Sequence, residues 1–158
     1  MSDVKNITAH ASDPLRTAVK SYLLADTALM TLLTGGVLMA DDLSRTGMTH
    51  DDAPKEADGV RIAPFAEIHW GAGPRFGPIH VRAQRQDCEI YVYQHRGYSV
   101  ISQAHTRLTA LLHDVNLYAS DRALSHFSFI QFGPETMADN LSMAPCQFAR
   151  FEVTQIRK

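Results

Sequence analysis

The stretch "CEIYVYQHRGYSVISQAHTRLTALLHD", residues 88–114, decides the fold class of this chain. Its first half alternates. Cys88, Ile90 and Val92 fall on one side of an extended strand, and Glu89, Tyr91 and Tyr93 on the other. Its second half changes period. Val100, Ile101, Ala104, Leu108, Leu111, Leu112 and Val115 recur at spacings of three and four, which predicts an amphipathic helix over 98–115. Gln103, His105, Arg107, Thr109 and His113 fall mainly on its other faces.

Working toward the N-terminus, 79–83 and 87–94 read as strand, as one long strand or a hairpin arm. A turn-rich connection, "GAGPRFGP" at 71–78, precedes them. Residues 61–70 read as another strand, with Pro64 marking an edge or a bulge. The segment 41–59 has six acidic residues (Asp41, Asp42, Asp51, Asp52, Glu56, Asp58) against Arg45 and Lys55. It shows no clear period and reads as a long exposed loop. Val37 to Met39 is a short strand. Before it, Ser12-Asp13-Pro14 starts a helix carrying Leu15, Val19, Tyr22 and Leu23. Asp26-Thr27 caps a second short helix with Leu29, Met30, Leu32 and Leu33, which Gly35-Gly36 ends.

Working toward the C-terminus, 125–132 and 146–156 read as strands, separated by a second long loop at 133–145. Phe127, Phe129, Ile130 and Phe132 are expected on both faces of one strand, and Phe148, Phe151 and Val153 on both faces of the other. Strands apolar on both faces need cover on both. Few crossover helices separate the strands. The order predicts an α+β domain with an antiparallel or mixed sheet of about four to five strands, helices packed on one face, and long loops or arms. One domain spans 1–158, with loops at 41–60 and 133–145 and a turn-rich arm at 71–86.

Composition narrows the function classes. The chain has 158 residues, 45% hydrophobic and 20% charged, with formal net charge −2. That balance argues against a polybasic binder held by bulk positive charge. No run approaches the ~20 apolar residues of a membrane-spanning helix. The opening Met1-Ser2-Asp3-Val4-Lys5 lacks signal-peptide blocks, so synthesis in the cytoplasm is expected.

No catalytic signature emerges. His10, His50, His69, His80, His95, His105, His113 and His126 are scattered, and no pair has the helical His-x3-His spacing of a metal site. Cys88 and Cys146 have no Cys-x-x-Cys partner and read as small apolar residues. The acidic loop lacks the EF-hand spacing. Residues 71–74 lack the Gly-Lys-Ser/Thr of a phosphate loop, and no serine has a Gly-x-Ser-x-Gly context. Neither a metal nor a cofactor is called for.

One cluster has the character of an interface. Arg75, His80, Arg82 and Arg85 occupy a stretch without an acidic residue between Glu67 and Asp87. Arginine suits interfaces because its guanidinium makes fixed, forked hydrogen bonds. Its complement is the acidic loop with Asp41, Asp42, Asp51 and Asp52. Apolar area near Phe76, Tyr91, Tyr93 and the phenylalanines of the late strands would supply the affinity.

The helical pair "DPLRTAVKSYLLADTALMTLLTGG", the strand "RIAPFAEIHW", the strand-to-helix unit quoted above and the last strand "CQFARFEVTQIR" come in an order and spacing similar to the tail terminator (tail completion) proteins of long-tailed bacteriophages and gene transfer agents. The resemblance covers most of the chain and rests on patterns. The 41–59 loop and the 71–78 connection are longer here than in a minimal member.

The resemblance implies a virion protein without enzymatic activity. Its copies would assemble into a six-membered ring at the head-proximal end of the tail tube. That ring stops tube polymerisation and meets a head–tail connector or neck protein, with DNA passing through its lumen. A neck or head-closure protein at the same junction is the nearest alternative. A small α+β enzyme and a ligand-binding domain are the others.

Overall fold

A computed structural model describes residues 5–8, 15–40, 48–71, 75–76, 83–118 and 124–156. The long strand β5 (Ala83–Tyr93) and the last strand β9 (Ala144–Ile156) form the spine of the sheet. They pair antiparallel through eleven residue pairs, from Ala83 opposite Ile156 to Tyr93 opposite Cys146. On one side of this spine β3 (Phe65–Trp70) pairs antiparallel with β5, and β2 (Val37–Met39) lies parallel to β3. On the other side β7 (Leu124–Phe132) pairs antiparallel with β9. Beyond it, β6 (Val115–Tyr118) pairs antiparallel with β7, and β1 (Lys5–Thr8) closes the order in parallel with β6. The path runs β1-β6-β7-β9-β5-β3-β2, and the short strands β4 (Arg75–Phe76) and β8 (Thr136–Ala138) pair with β5 and β9.

The α+β class and the mixed sheet match the reading of the sequence. The strand number does not: seven strands lie on the path, against four to five expected. The additional ones are short. A strand, β1, precedes α1 (Leu15–Leu24), where the sequence pattern shows no element before the helix. The helix α3 (Ser99–Leu112) stops earlier than its apolar stripe suggests. Asp114 takes a left-handed conformation (φ 53°), and Val115 and Leu117 then alternate inward as β6. Val115 fits the helical period by coincidence but belongs to the strand.

The helices cover one face. Ala18, Val19 and Leu23 of α1, Leu29 of α2 (Thr27–Leu32), and Ile101, Ala104, Leu108, Leu111 and Leu112 of α3 pack on Ile68, Ile90, Val92, Phe127, Ala149, Phe151 and Val153. Each fully buried aliphatic or aromatic side chain here contributes about 1.5–3 kcal/mol by leaving water. The caps follow local chemistry. Asp26 starts α2, its carboxylate accepting the Leu29 N–H at 2.7 Å. Tyr98 at the start of α3 offers no side-chain cap. Gln94 does this instead: its Oε1 accepts the N–H groups of Val100 (2.9 Å) and Ile101 (3.1 Å).

A smaller core lies on the opposite face. Met48, Ala53 and Ile62 pack there on Phe65, Tyr93, Leu141, Ala144 and Cys146. Residues 48–62 are therefore not an exposed loop without order. Thr49 and Asp52 close a turn (Oγ1 to Oδ2, 2.6 Å), Lys55 bridges Ile62, and the Asp58 carboxylate accepts the N–H groups of Val60 and Arg61 at 2.9 Å each. Local turn bonds of this kind order a segment that has no hydrophobic period. Gly35 lets the segment dock: a Cβ there would lie 2.8 Å from Pro54 Cβ and 3.0 Å from the Pro64 carbonyl oxygen.

Candidate interaction face

The strand alternation around residue 90 places a line of polar side chains on the face away from the helices. Register assembles them across three strands: Glu67 lies opposite Tyr91 and His69 opposite Glu89, while Tyr91 lies opposite Phe148 and Glu89 opposite Arg150. Tyr93 donates its hydroxyl to Glu67 Oε2 (3.3 Å), and His69 Nε2 lies 3.1 Å from Glu67 Oε1. Tyr91 donates to Glu89 Oε2 (3.2 Å), and Arg150 Nε donates to Glu89 Oε1 (2.8 Å). The Arg150 guanidinium sits over the Phe148 ring, 5.5 Å from its centroid. Tyr91 packs on Phe148 (5.1 Å) and His69 (4.8 Å), and Phe65 stacks on Tyr93 (4.8 Å).

The electrostatics make this a fixed network. Burial pushes the Tyr93 hydroxyl well above its ordinary pKa, and the Glu67 charge adds to it. Burial and then the Glu89 charge raise Tyr91. Both phenols therefore stay protonated and donate to carboxylates at neutral pH. Further along the spine, beyond the cover of 48–62, Arg85 Nε lies 3.2 Å from Glu152 Oε2, and Asp87 is exposed. His126, Asn116 and Tyr118 continue the polar face onto β7 and β6. The result is an open sheet face carrying alternating charge.

A second surface differs in kind. Ile130, Phe132, Met137 and Met143 are all exposed where β7 passes into β8 and back to β9. The register of β7 on β9 slips between Phe129 and Gln131. The bulge at Ile130 returns Phe132 to the face of Phe127 and Phe129. Three phenylalanines of β7 thus share one face, instead of being divided between two as simple alternation predicts.

The sequence-expected interface residues are distributed unevenly. Tyr91 and Tyr93 meet in the network, with ring centroids 6.3 Å apart, and Tyr93 is buried. Arg85 lies on the same face, toward the other end of the spine. Asp51 and Asp52 are exposed, but the Thr49 hydroxyl and N–H hold the Asp52 carboxylate and lower its pKa. Arg75 and Phe76 form β4 beside β5. Asp41, Asp42 and Arg82 lie outside the described residues. Phe148 belongs to the late-strand phenylalanines expected to supply affinity, whereas Glu67, Glu89 and Arg150 are not marked as interface residues by the sequence pattern. Alternation already set Glu89 beside Tyr91 and Tyr93; the missing information was the register that brings β3 and β9 alongside.

Among the described residues no group of three His, Cys, Asp or Glu is placed to hold a metal ion, and no helix is long and apolar enough to cross a membrane. Cys88 and Cys146 are both buried free thiols. No protein-family model and no curated protein matches this sequence.

Proposed function

We propose that this chain is a structural subunit of the tail-terminator kind. Copies assemble into a ring at the head-proximal end of a phage-type tail tube, end tube growth, and join the tail to a connector or neck protein while DNA passes through the lumen. The reading is drawn from the sequence resemblance, and one structural observation supports it. The domain carries two unlike surfaces, the charged open sheet face of β5 and β9 and the apolar corner between β7 and β8. Rings close through heterologous contacts between unlike patches. Charge on one patch sets register and rejects wrong partners, while apolar area supplies affinity.

Light scattering across protein and salt concentrations tests the reading, followed by binding to purified tail-tube ends. A discrete ring-sized species, or capping of tube ends by an otherwise monomeric protein, is the expected result. A monomer at every concentration that also ignores tube ends would overturn it. Arg85→Glu should weaken the assembly more than Thr106→Glu on the exposed side of α3, because only the former reverses a charge on the open sheet face.

A further inference from the structure

His105 is the one buried histidine among the described residues, 2% exposed on the inward side of α3. The sequence stripe placed it on another face. Its Nε2 lies 2.9 Å from the carbonyl oxygen of Gln147. A carbonyl only accepts, so Nε2 carries the proton and Nδ1 presents a lone pair. That Nδ1 is buried without a hydrogen-bond partner. The ring packs on Phe132, centroids 5.3 Å apart, and Phe132 packs on Phe129 at 4.7 Å.

Gln147 extends the connection to the β7–β8 corner. Its side chain donates to the Gly133 carbonyl (2.9 Å), and the Gly133 N–H donates to the Phe148 carbonyl (2.8 Å). A Cβ at Gly133 would lie 2.2 Å from the Phe148 ring, so the corner is seated tightly. The neutral imidazole therefore lies behind the corner that displays Ile130, Phe132, Met137 and Met143.

We propose that His105 is a pH-sensitive latch: protonation at Nδ1 places a second, unpaired N–H in the apolar layer beneath β7, and the β7–β8 corner opens locally to hydrate it. Among the described residues no opposite charge faces the ring to offset that cost, and Glu135 of the corner itself is exposed to solvent. The inward residues of β9 facing it are Gln147, Ala149 and Phe151, those of β7 are Phe127, Phe129 and Phe132, and those of β5 are Cys88, Ile90 and Val92. Cys88 is the one titratable group in that set, and burial raises its pKa, so it stays a neutral thiol. On α2, Thr27–Leu32 has no charged residue, and Arg107 of α3 is tied to Asp26. Arg85, Asp87, Glu89, Arg150, Glu152 and His126 occupy the opposite face of the sheet. Burial accordingly lowers the His105 pKa below 6.5, with the Gln147 contact opposing it more weakly. The latch holds above the unfolded value and weakens as pH falls below it, because the opened state binds the extra proton. The inference is independent of the assembly proposed above.

The test is amide hydrogen exchange of the full chain at pH 7.5 and 5.0, corrected for intrinsic chemical rates. Protection over 129–137 should fall about tenfold at the lower pH while β3 keeps its protection. In His105→Gln, whose amide donates to Gln147 but does not titrate, the fall should disappear. Unchanged protection in the wild type, or an equal fall in His105→Gln, would overturn the latch. Should that variant fail to fold, the wild-type imidazole is followed by nitrogen NMR. Proton uptake at Nδ1 in step with loss of protection over 129–137 is expected. Uptake with the corner still protected would refute the proposal.

Discussion

The Asp26 carboxylate joins two helices that are far apart in sequence. It caps α2 through the Leu29 N–H and receives Arg107 of α3, with Oδ1 3.0 Å from Nε and Oδ2 2.5 Å from Nη2. One side chain thus sets both the start of α2 and its position against α3. Asp26 is partly buried, at 15% side-chain exposure, while Arg107 is 40% exposed. Asp26→Ala should lower stability by about 1 kcal/mol from the cap alone. A double-mutant cycle with Arg107→Ala, read by urea unfolding, should show non-additivity. Strict additivity would mean the pair is not coupled.

The same pair carries a pH dependence. The Arg107 hydrogen bond holds the Asp26 pKa below its ordinary value of 3.8. A carboxylate with a depressed folded pKa stabilises the fold above the unfolded value, and that contribution is lost as pH falls through the folded value. The stability gap between wild type and Asp26→Asn should be constant at neutral pH and shrink below about pH 4. A gap that stays constant down to pH 2.5 would show that charge is not its source.

Gln94 caps α3 from outside the helix. Gln94→Ala should lower stability by about 1–2 kcal/mol, since two N–H groups at the start of α3 lose their acceptor and one of them, on Ile101, is buried. Gln94→Glu keeps an acceptor and adds negative charge at the helix N-terminus, so it should lose less. Chemical denaturation of the three proteins gives the ranking.

Gly133→Ala should destabilise by about 1–3 kcal/mol, because its Cβ meets a Phe148 ring already held between Tyr91 and Arg150. Adding Phe148→Leu should recover part of the loss by making room. No recovery would place the cost in the backbone and not in the ring contact.

Cys88 is fully buried, and burial raises its pKa. Only the thiolate reacts, so labelling needs unfolding as well as deprotonation. A disulfide reagent should modify Cys88 at least ~1000-fold more slowly in the native protein than in urea, given ordinary domain stability. Mass spectrometry after limited labelling checks this, and rapid native modification would show that the layer between α3 and the sheet opens.

How much of the molecule could be read from the chain is clearest in 88–114. The switch from period two to helical spacing there holds in the structure, as β5 leading into α3. The same is true of Asp26 as a cap and of the separation of Cys88, Ile90 and Val92 from Glu89, Tyr91 and Tyr93. Residues 48–62 were harder, since they are ordered by turn bonds and by burial of Met48 and Ala53 beneath a distant part of the chain. The interaction face is half legible: Tyr91, Tyr93, Arg85 and the late-strand Phe148 stand out in the sequence, whereas Glu67, Glu89 and Arg150 do not.

Local pattern decided what is local. Side-chain period assigns strand or helix and chooses the buried face, because both follow from the geometry of a few consecutive residues. Tertiary structure alone decided the rest. The short strands β1 and β6 exist because each finds a neighbour, as four residues have too little periodicity to declare themselves. The slip at Ile130 moves Phe132 to the helical face, and the burial of His105 depends on where α3 lands on β9. Register and packing arise from contacts between residues far apart in sequence, and no window of neighbours encodes them.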